Sequence, residues 1–254
     1  MSDVNSPTGW GVLIARAATP RREGPATVNR ALPGGNLPHA NPFMALGEYI
    51  IPSGSAGFGY HPHRGVEMVT YQLDGTMEHR EPDGTRLELP AGRAMHLFAG
   101  SGMVHSESPL GDQPSHGVQR WIALLPDVAQ LPPRREAGEV PVTCTDGVTV
   151  RHVAGLEAAV RTEVQSLYLD ISHEPGSSAR HRLPRGWTAI VQILSGEAHI
   201  GDERRLLRQH DFAILTDGDH LFVETAEESV RYVLLGGESI GEVGAGDADA
   251  NYRR

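Results

Sequence analysis

Cysteine is almost absent from this sequence, because Cys144 is the only one in 254 residues. One cysteine cannot close a disulfide within the chain, which excludes a small scaffold held together by disulfides. The sequence also lacks any apolar run near the roughly 20 residues that a membrane-spanning helix needs. Its first residues lack the charged and apolar regions of a signal peptide. We therefore expect a cytoplasmic protein that does not enter a membrane.

Long basic stretches are lacking as well, since the arginine pairs at positions 21–22, 134–135 and 204–205 are isolated. The formal net charge of the chain is −10. Such a chain cannot neutralise a row of phosphates, so we expect no direct binding to nucleic acid. We also expect the protein to be a monomer.

Helical periodicity is scarce, and alternation of apolar and polar residues dominates the chain. Turn signals such as Asp74-Gly75 and Ser195-Gly196 separate the candidate strands, as in a β-sandwich or β-barrel. The pattern predicts an all-β fold in which only residues 156–161 form a short helix. The predicted strands are residues 47–51, 66–73, 85–89, 94–98, 103–107, 118–125, 148–153, 164–171, 188–194, 198–200, 212–215, 220–224 and 230–235.

The domain organisation follows from composition. Residues 126–139 are rich in proline and charge, which is typical of a linker. We therefore predict an N-terminal domain over residues 1–126 and a C-terminal domain over residues 140–240. Residues 241–254, which contain mostly Gly, Ala and Asp, are predicted to be a flexible tail.

Two segments of the first domain recur in the second, in the same order. Residues 61–75 align with 182–196 without a gap, and residues 97–107 align with 215–225 after three residues are dropped from the intervening loop. Both copies carry Arg-Gly before an apolar strand, so Arg64 and Gly65 are interpreted as a structural turn. The repeat indicates two tandem β-barrels.

Histidine is abundant, with 13 copies, and two pairs have a spacing that suits metal binding. On a strand, alternate residues share a face, so His61 and His63 point the same way, as do His105 and Glu107. A solvated strand face would be the better interpretation of either pair alone. Together, three imidazoles and a carboxylate suit one divalent ion such as iron, nickel, copper, manganese or zinc. Counting alternate residues from His63 also places Glu67 on the same face of the strand, so spacing cannot exclude Glu67 as a ligand.

The repeat comparison limits this site to one domain. The four residues aligned with the proposed ligands are all poor ligands for a divalent metal: Arg182, Pro184, Val223 and Thr225. We therefore predict one metal ion per chain, in the N-terminal domain. His79 and His96 are interpreted as structural or exposed.

The segment Tyr60-His-Pro-His-Arg-Gly-Val-Glu-Met-Val-Thr-Tyr-Gln-Leu-Asp-Gly75, followed by Ala99-Gly-Ser-Gly-Met-Val-His-Ser-Glu107, resembles the signature of the pirin family within the cupin superfamily. Related segments at 116–121 and 235–242 extend the resemblance over about residues 40–242. It implies a bicupin of two jelly-roll-like barrels with one mononuclear metal, expected to be iron(II), held by His61, His63, His105 and Glu107. It therefore favours Glu107 over Glu67.

The resemblance also implies a function, a dioxygenase that opens the ring of a flavonol such as quercetin with O2. Its substrate would be a small planar phenolic, and we expect Glu107, the only carboxylate of the set, to act as the general base. Two alternatives stay open: a metal-dependent regulatory or redox-sensing binding protein without turnover, and a metal-dependent isomerase or hydrolase. Tyr60 and His96 depart from the usual family residues, which leaves the ligand positions intact and the substrate open.

Overall fold

The structure is a computed structural model that describes residues 9–34, 37, 39–215, 218–225 and 227–241. Its first twelve strands are β1 (Val12–Ala17), β2 (Thr19–Glu23), β3 (Ala26–Leu32), β4 (Phe43–Ile51), β5 (Phe58–His63), β6 (Val66–Asp74), β7 (Thr76–Arg80), β8 (Arg86–Pro90), β9 (Arg93–Phe98), β10 (Met103–Pro109), β11 (Ser115–Ala123) and β12 (Arg134–Glu139). Ten more follow: β13 (Val142–Thr145), β14 (Val148–Ala154), β15 (Ser166–His173), β16 (Ser178–Arg182), β17 (Trp187–Ser195), β18 (Glu197–Ile200), β19 (Arg205–Arg208), β20 (Asp211–Leu215), β21 (His220–Glu224) and β22 (Val230–Glu238).

The fold is all-β, as predicted. One 3-10 turn, Val128–Gln130, is the only helical element of the described ranges. None of the described residues forms a helix long and apolar enough to cross a membrane. The chain divides into an N-terminal unit, built mainly from Thr19–Pro141, and a C-terminal unit, built mainly from Ser166–Ser239.

Each unit contains the same pair of sheets. The N-terminal unit has a seven-stranded sheet in the order β12-β9-β6-β11-β4-β3-β2 and a four-stranded sheet in the order β5-β10-β7-β8. The C-terminal unit has a seven-stranded sheet in the order β1-β20-β17-β22-β15-β14-β13 and a four-stranded sheet in the order β16-β21-β18-β19. From β2 to β11, each strand of the first unit corresponds to the strand eleven places later in the second. The sequence repeat therefore corresponds to a repeated topology.

The unit boundaries differ from the sequence-based domains at two edge strands. Strand β1 pairs with β20 and completes the sheet of the C-terminal unit, although it lies within the range 1–126 assigned to the first domain. Strand β12 pairs with β9 over Arg134–Glu139, so the second half of the predicted linker is a sheet strand. Each takes the equivalent edge position of its sheet, and no local pattern of the sequence marks such an exchange. The predicted tail lies outside the described residues beyond Gly241.

The predicted helix at residues 156–161 is wrong, because residues 156–159 form turns and bends and Val160 forms an isolated β-bridge with Ala154. Glu157 has a φ of 58°, which a right-handed helix does not allow. Leu156 is 87% exposed and Val160 is the one buried residue of the segment, so a helix here would have little apolar surface to pack against the barrel. A short helix without such packing is not stable in water.

Alternation along β6 fixes which side chains face the interior of the N-terminal unit. Val66 and Met68 belong to its hydrophobic core, together with Met95 and Leu97 of the neighbouring strand. Glu67 therefore points to the opposite face of the sheet. Between β5 and β6 the chain turns at Gly65, whose φ of 70° suits glycine. This turn moves the chain from the four-stranded sheet to the seven-stranded one.

Candidate metal centre

Three histidines of the four-stranded sheet converge in the N-terminal unit. Strands β5 and β10 are antiparallel neighbours, and His105 lies directly opposite His61. The ring centroids of His61 lie 4.7 Å from His63 and 4.5 Å from His105, and those of His63 and His105 are 5.0 Å apart. One nitrogen of each ring lies within 4.8 Å of the others, which is close enough for the three to hold one metal ion.

Each of these three rings has one nitrogen that is free to bind a metal ion. The Nδ1 of His61 lies 2.7 Å from the carbonyl oxygen of Gly59, which can only accept, so this Nδ1 carries the proton and Nε2 keeps its lone pair. The buried Nδ1 of His63 and Nε2 of His105 have no hydrogen-bond partner among the described residues. Buried polar atoms without partners are costly. A bound metal would satisfy them, so the residues present fit such an ion.

A hydrogen-bonded chain behind His105 determines which of its nitrogens is free. Glu81 lies 3.0 Å from the Nε2 of His79, and the Nδ1 of His79 lies 3.2 Å from the Nδ1 of His105. With a carboxylate acceptor at its Nε2, His79 carries the proton there, so its Nδ1 accepts a hydrogen bond from His105. The Nε2 of His105 is then unprotonated, as a metal ligand must be.

Burial keeps the cluster neutral at physiological pH. Desolvation lowers the pKa of His61, and it lowers that of His63 to about 3. His105 is fully buried, and its pKa lies well below the usual value, first through burial and then through the neighbouring histidines. Burial also lowers the pKa of His79, against the opposing effect of Glu81. Neutral imidazoles offer their lone pairs without first losing a proton.

Glu107 lies on the same strand as His105 and is 4% exposed, but its carboxylate is not part of the three-nitrogen group. The pairing with β5 is irregular between the two residues, because His105 faces His61 and Glu107 faces Phe58, but along β10 itself alternation holds and both side chains are buried. Burial raises the pKa of Glu107 to about 7. The side chain of Gln119 donates to Glu107 Oε1 at 3.3 Å and accepts from the indole N–H of Trp121 at 2.7 Å.

Glu67, the alternative ligand, is not part of the cluster of His61, His63 and His105. One oxygen accepts hydrogen bonds from His96 Nε2 at 2.9 Å and from the backbone N–H of Glu163 at 2.8 Å. The other accepts from the N–H of Val164 at 3.1 Å. The carboxylate therefore connects a buried sheet face to a crossing segment of the same unit. His96 is buried and structural, in agreement with its interpretation.

A cavity of about 980 Å³ opens onto the cluster. Its volume is at the upper end of the range usual for small-molecule sites. Apolar, polar and ionisable side chains all contribute to its wall. They include Phe58, His61, His63, Glu107, Gln119 and Trp121.

Several features of this site have no signal in the sequence. His79 lies 26 positions from His105, and the contact arises only because β7 pairs with β10. Gln119 reaches Glu107 from another sheet. Arg64, interpreted as part of a turn, also lines the cavity.

The C-terminal unit has a polar cluster of its own. The hydroxyl of Tyr232 lies 3.0 Å from His173 Nε2 and 2.7 Å from His181 Nε2. Burial lowers the pKa of His181 to about 4 and also lowers that of His173. These residues lie outside the four positions that the repeat aligns with the ligands.

Comparison with family models decides the relationship. The pirin model matches residues 26–122, and the pirin C-terminal cupin domain model matches residues 168–245. The chain belongs to the pirin family. It is a bicupin, and the two cupin domains are the units described above. Human pirin is 32% identical over 228 residues, which cover 85% of this chain and 78% of the human protein.

Solved structures share the pirin fold. A quercetin 2,3-dioxygenase from Acinetobacter baumannii superposes with a TM-score of 0.79 at 23% identity, over 94% of this chain and 91% of its own. The pirin YhhW from Escherichia coli, in complex with nickel(II), superposes with a TM-score of 0.75 at 20% identity, over 89% of this chain and 99% of its own. At these identities the likeness concerns the fold alone.

Proposed function

We propose that this pirin holds one divalent metal ion, expected to be iron(II), and opens the ring of a flavonol or related phenolic enol with dioxygen. The observation that carries the proposal is a cluster of three neutral histidines, two of which, His61 and His63, line a cavity that also contains the buried carboxylate of Glu107. A ligand set of imidazoles, with or without Glu107, leaves positions open for substrate and oxygen. The fold is shared with a quercetin 2,3-dioxygenase, which suggests this reaction class, and the site itself carries the proposal.

The metal would be held by His61, His63 and His105, with Glu107 as the further candidate ligand. When bound, such an ion would polarise the oxygen of an enol and favour its deprotonation. The lone pairs that would bind it include those left free by the hydrogen bonds of His61 to Gly59 and of His105 to His79. Metal identity depends on supply as well as on ligands, so nickel, copper, manganese and zinc also suit this set.

Glu107 is suited to take the hydroxyl proton of the enol. A general base works best when its pKa lies near the working pH, and burial raises the pKa of Glu107 to about 7. Gln119 donates to one oxygen of Glu107, which orients the carboxylate and leaves the second oxygen for the substrate. The indole N–H of Trp121 donates a hydrogen bond to Gln119, so two hydrogen-bonded side chains position Glu107 as the base.

The walls of the cavity suit a flat aromatic molecule. Phe58 and Trp121 provide aromatic surface, and Met77 adds a polarisable thioether. Exclusion of water by such walls would protect an electron-rich enolate from reprotonation. The proposed reaction therefore has three steps: the enol binds, Glu107 takes its hydroxyl proton, and dioxygen attacks the ring.

The test separates metal binding from turnover. The protein, purified without a histidine tag, is loaded anaerobically with iron(II), its metal content is measured, and quercetin absorbance is followed before and after oxygen is admitted. Oxygen-dependent loss of absorbance, absent from a His63→Asn variant, supports the proposal. A fully loaded protein that binds quercetin but does not bleach it contradicts the dioxygenase and favours a binding protein without turnover.

A further inference from the structure

The cavity that opens onto the histidines has a basic rim. Arg21, Arg22 and Arg64 line it, and all three are exposed. His63 and Glu107, which line the same cavity, are only 3% and 4% exposed. The arginines therefore lie at the open end of the cavity, and the metal-binding end is the buried one.

Two separate parts of the N-terminal unit bring these arginines to one cavity. Arg21 and Arg22 lie on β2, the edge strand of the seven-stranded sheet. Arg64 lies in the turn that follows His63, at the end of a strand of the four-stranded sheet. The rim therefore combines arginines from two segments of the chain that are distant in sequence.

The charges of this rim are not neutralised within the unit. Among the described residues no carboxylate lies within 4.0 Å of Arg21, Arg22 or Arg64, and Arg22 donates only to the hydroxyl of Thr27, at 3.2 Å. Arg30, which also lines the cavity, differs because it forms an ion pair with Glu23. Three unpaired cations at one opening are notable in a chain with a net charge of −10.

A guanidinium group has a planar fork of donors that matches a carboxylate. Positive charge at the mouth of a cavity with low-dielectric walls also attracts anions and raises their local concentration. An uncharged flavonol would use neither property. The cavity, at about 980 Å³, has room for a planar enol and an acidic extension.

We propose that the substrate of this pirin is an acidic aromatic enol, with its enol at the histidines and a carboxylate at Arg21, Arg22 and Arg64. This inference rests on the proposed function, because it assigns the enol to the metal end of the cavity. It adds a substrate preference that the metal site alone does not provide. Among enols of similar shape, the one with a carboxylate remote from the reacting oxygen binds more tightly.

The test compares two probes that differ by one carboxylate group. 3-Hydroxyflavone and its 4′-carboxylic acid are titrated calorimetrically, under argon, into the zinc-loaded full-length protein. We expect the acid to bind about ten-fold more tightly, which is the contribution of two or three exposed ion pairs. The preference should decrease as salt is added, because exposed charges are screened.

Matched variants test whether the arginines of the rim cause the preference for the acid. Arg21→Gln combined with Arg64→Gln should remove most of the preference for the acid and leave the affinity for 3-hydroxyflavone nearly unchanged. Arg16→Gln is the control, since Arg16 is an exposed arginine of the C-terminal unit that does not line the cavity. This control should leave the preference intact.

Equal affinity for the two probes, no binding of either, or a preference that survives the double substitution overturns the proposal. Failure here is distinguishable from failure of the proposed function. A protein that bleaches quercetin with oxygen but shows no preference for the acid is a flavonol dioxygenase without this selectivity. A protein that prefers the acid but bleaches nothing has the anion site and not the reaction.

Discussion

The Nδ1 of His79 lies 3.2 Å from the Nδ1 of His105, and the opposite nitrogen of His79 lies 3.0 Å from the carboxylate of Glu81. His79 is fully buried. This arrangement holds the proton of His105 on Nδ1 and leaves its Nε2 free. A residue that contacts no metal thus determines whether a ligand is ready to bind one.

Replacing His79 by Asn should weaken metal binding by roughly 10- to 100-fold, because outer partners of ligating histidines fix tautomer and ring orientation. Glu81→Gln should act in the same direction with a smaller effect. Competition with a chelator of known affinity measures both. His116→Asn is the control, since His116 pairs with Glu48 and does not line the cavity. Equal zinc affinities for the wild-type and His79→Asn proteins would remove this role.

Glu107→Gln should abolish quercetin turnover more severely than it lowers metal content. The amide keeps the shape of the side chain but cannot take a proton, and loss of a general base costs about 10²- to 10⁴-fold in rate. Steady-state rates and metal content are compared on the same preparation. A parallel loss of metal and rate would make Glu107 a ligand alone.

Glu67→Gln should affect folding and leave the metal site intact. The carboxylate accepts hydrogen bonds from His96, Glu163 and Val164, and an amide group in its place would turn a donor toward a backbone N–H. We expect a loss of roughly 2 kcal/mol in the free energy of unfolding, measured with urea. Loss of metal at unchanged stability would instead make Glu67 a ligand.

The metal-free protein should lose stability as the pH falls from about 6.5 toward 4. The pKa values of His63 and His181 are lowered by burial to about 3 and about 4. In this window the unfolded chain binds protons that the folded chain does not, so each such histidine contributes a slope of up to about 1.4 kcal/mol per pH unit. The pKa of Glu107 is raised to about 7, so in the same window its carboxyl group binds a proton in the folded chain that it does not bind in the unfolded chain. This offsets the contribution of one histidine.

Urea unfolding at several pH values measures this slope. The His181→Gln variant should show a shallower dependence, because one of the titrating groups is gone. Stability that stays constant or rises on acidification through this window would contradict the assignment of buried neutral histidines.

Sheet geometry explains what the sequence could predict. Alternation on one strand placed His61 and His63 on a common side, and the structure brings them together with His105. The same rule failed for Glu67, because parity does not continue through the turn at Gly65, where the chain changes sheets. Alternation holds within a strand and carries no information beyond its end.

Contacts that depend on pairing between distant strands could not be predicted from one sequence. Nothing near His79 signals that β7 lies beside β10, and nothing near β1 signals that its partner is β20, some 200 positions later. The basic rim was missed for the same reason. Arg21 lies on β2 and Arg64 lies in the turn after β5, and the two come together only because both line the cavity.

The most direct test of the central claim is the metal content of the untagged protein after anaerobic loading with iron(II), beside that of a His63→Asn variant. We predict about one equivalent of metal per wild-type chain, and close to none in a variant that keeps its fold, because a site of few ligands loses most of its affinity with one of them. Equal metal content in the two proteins, or a wild-type chain that takes up no metal, would contradict the account.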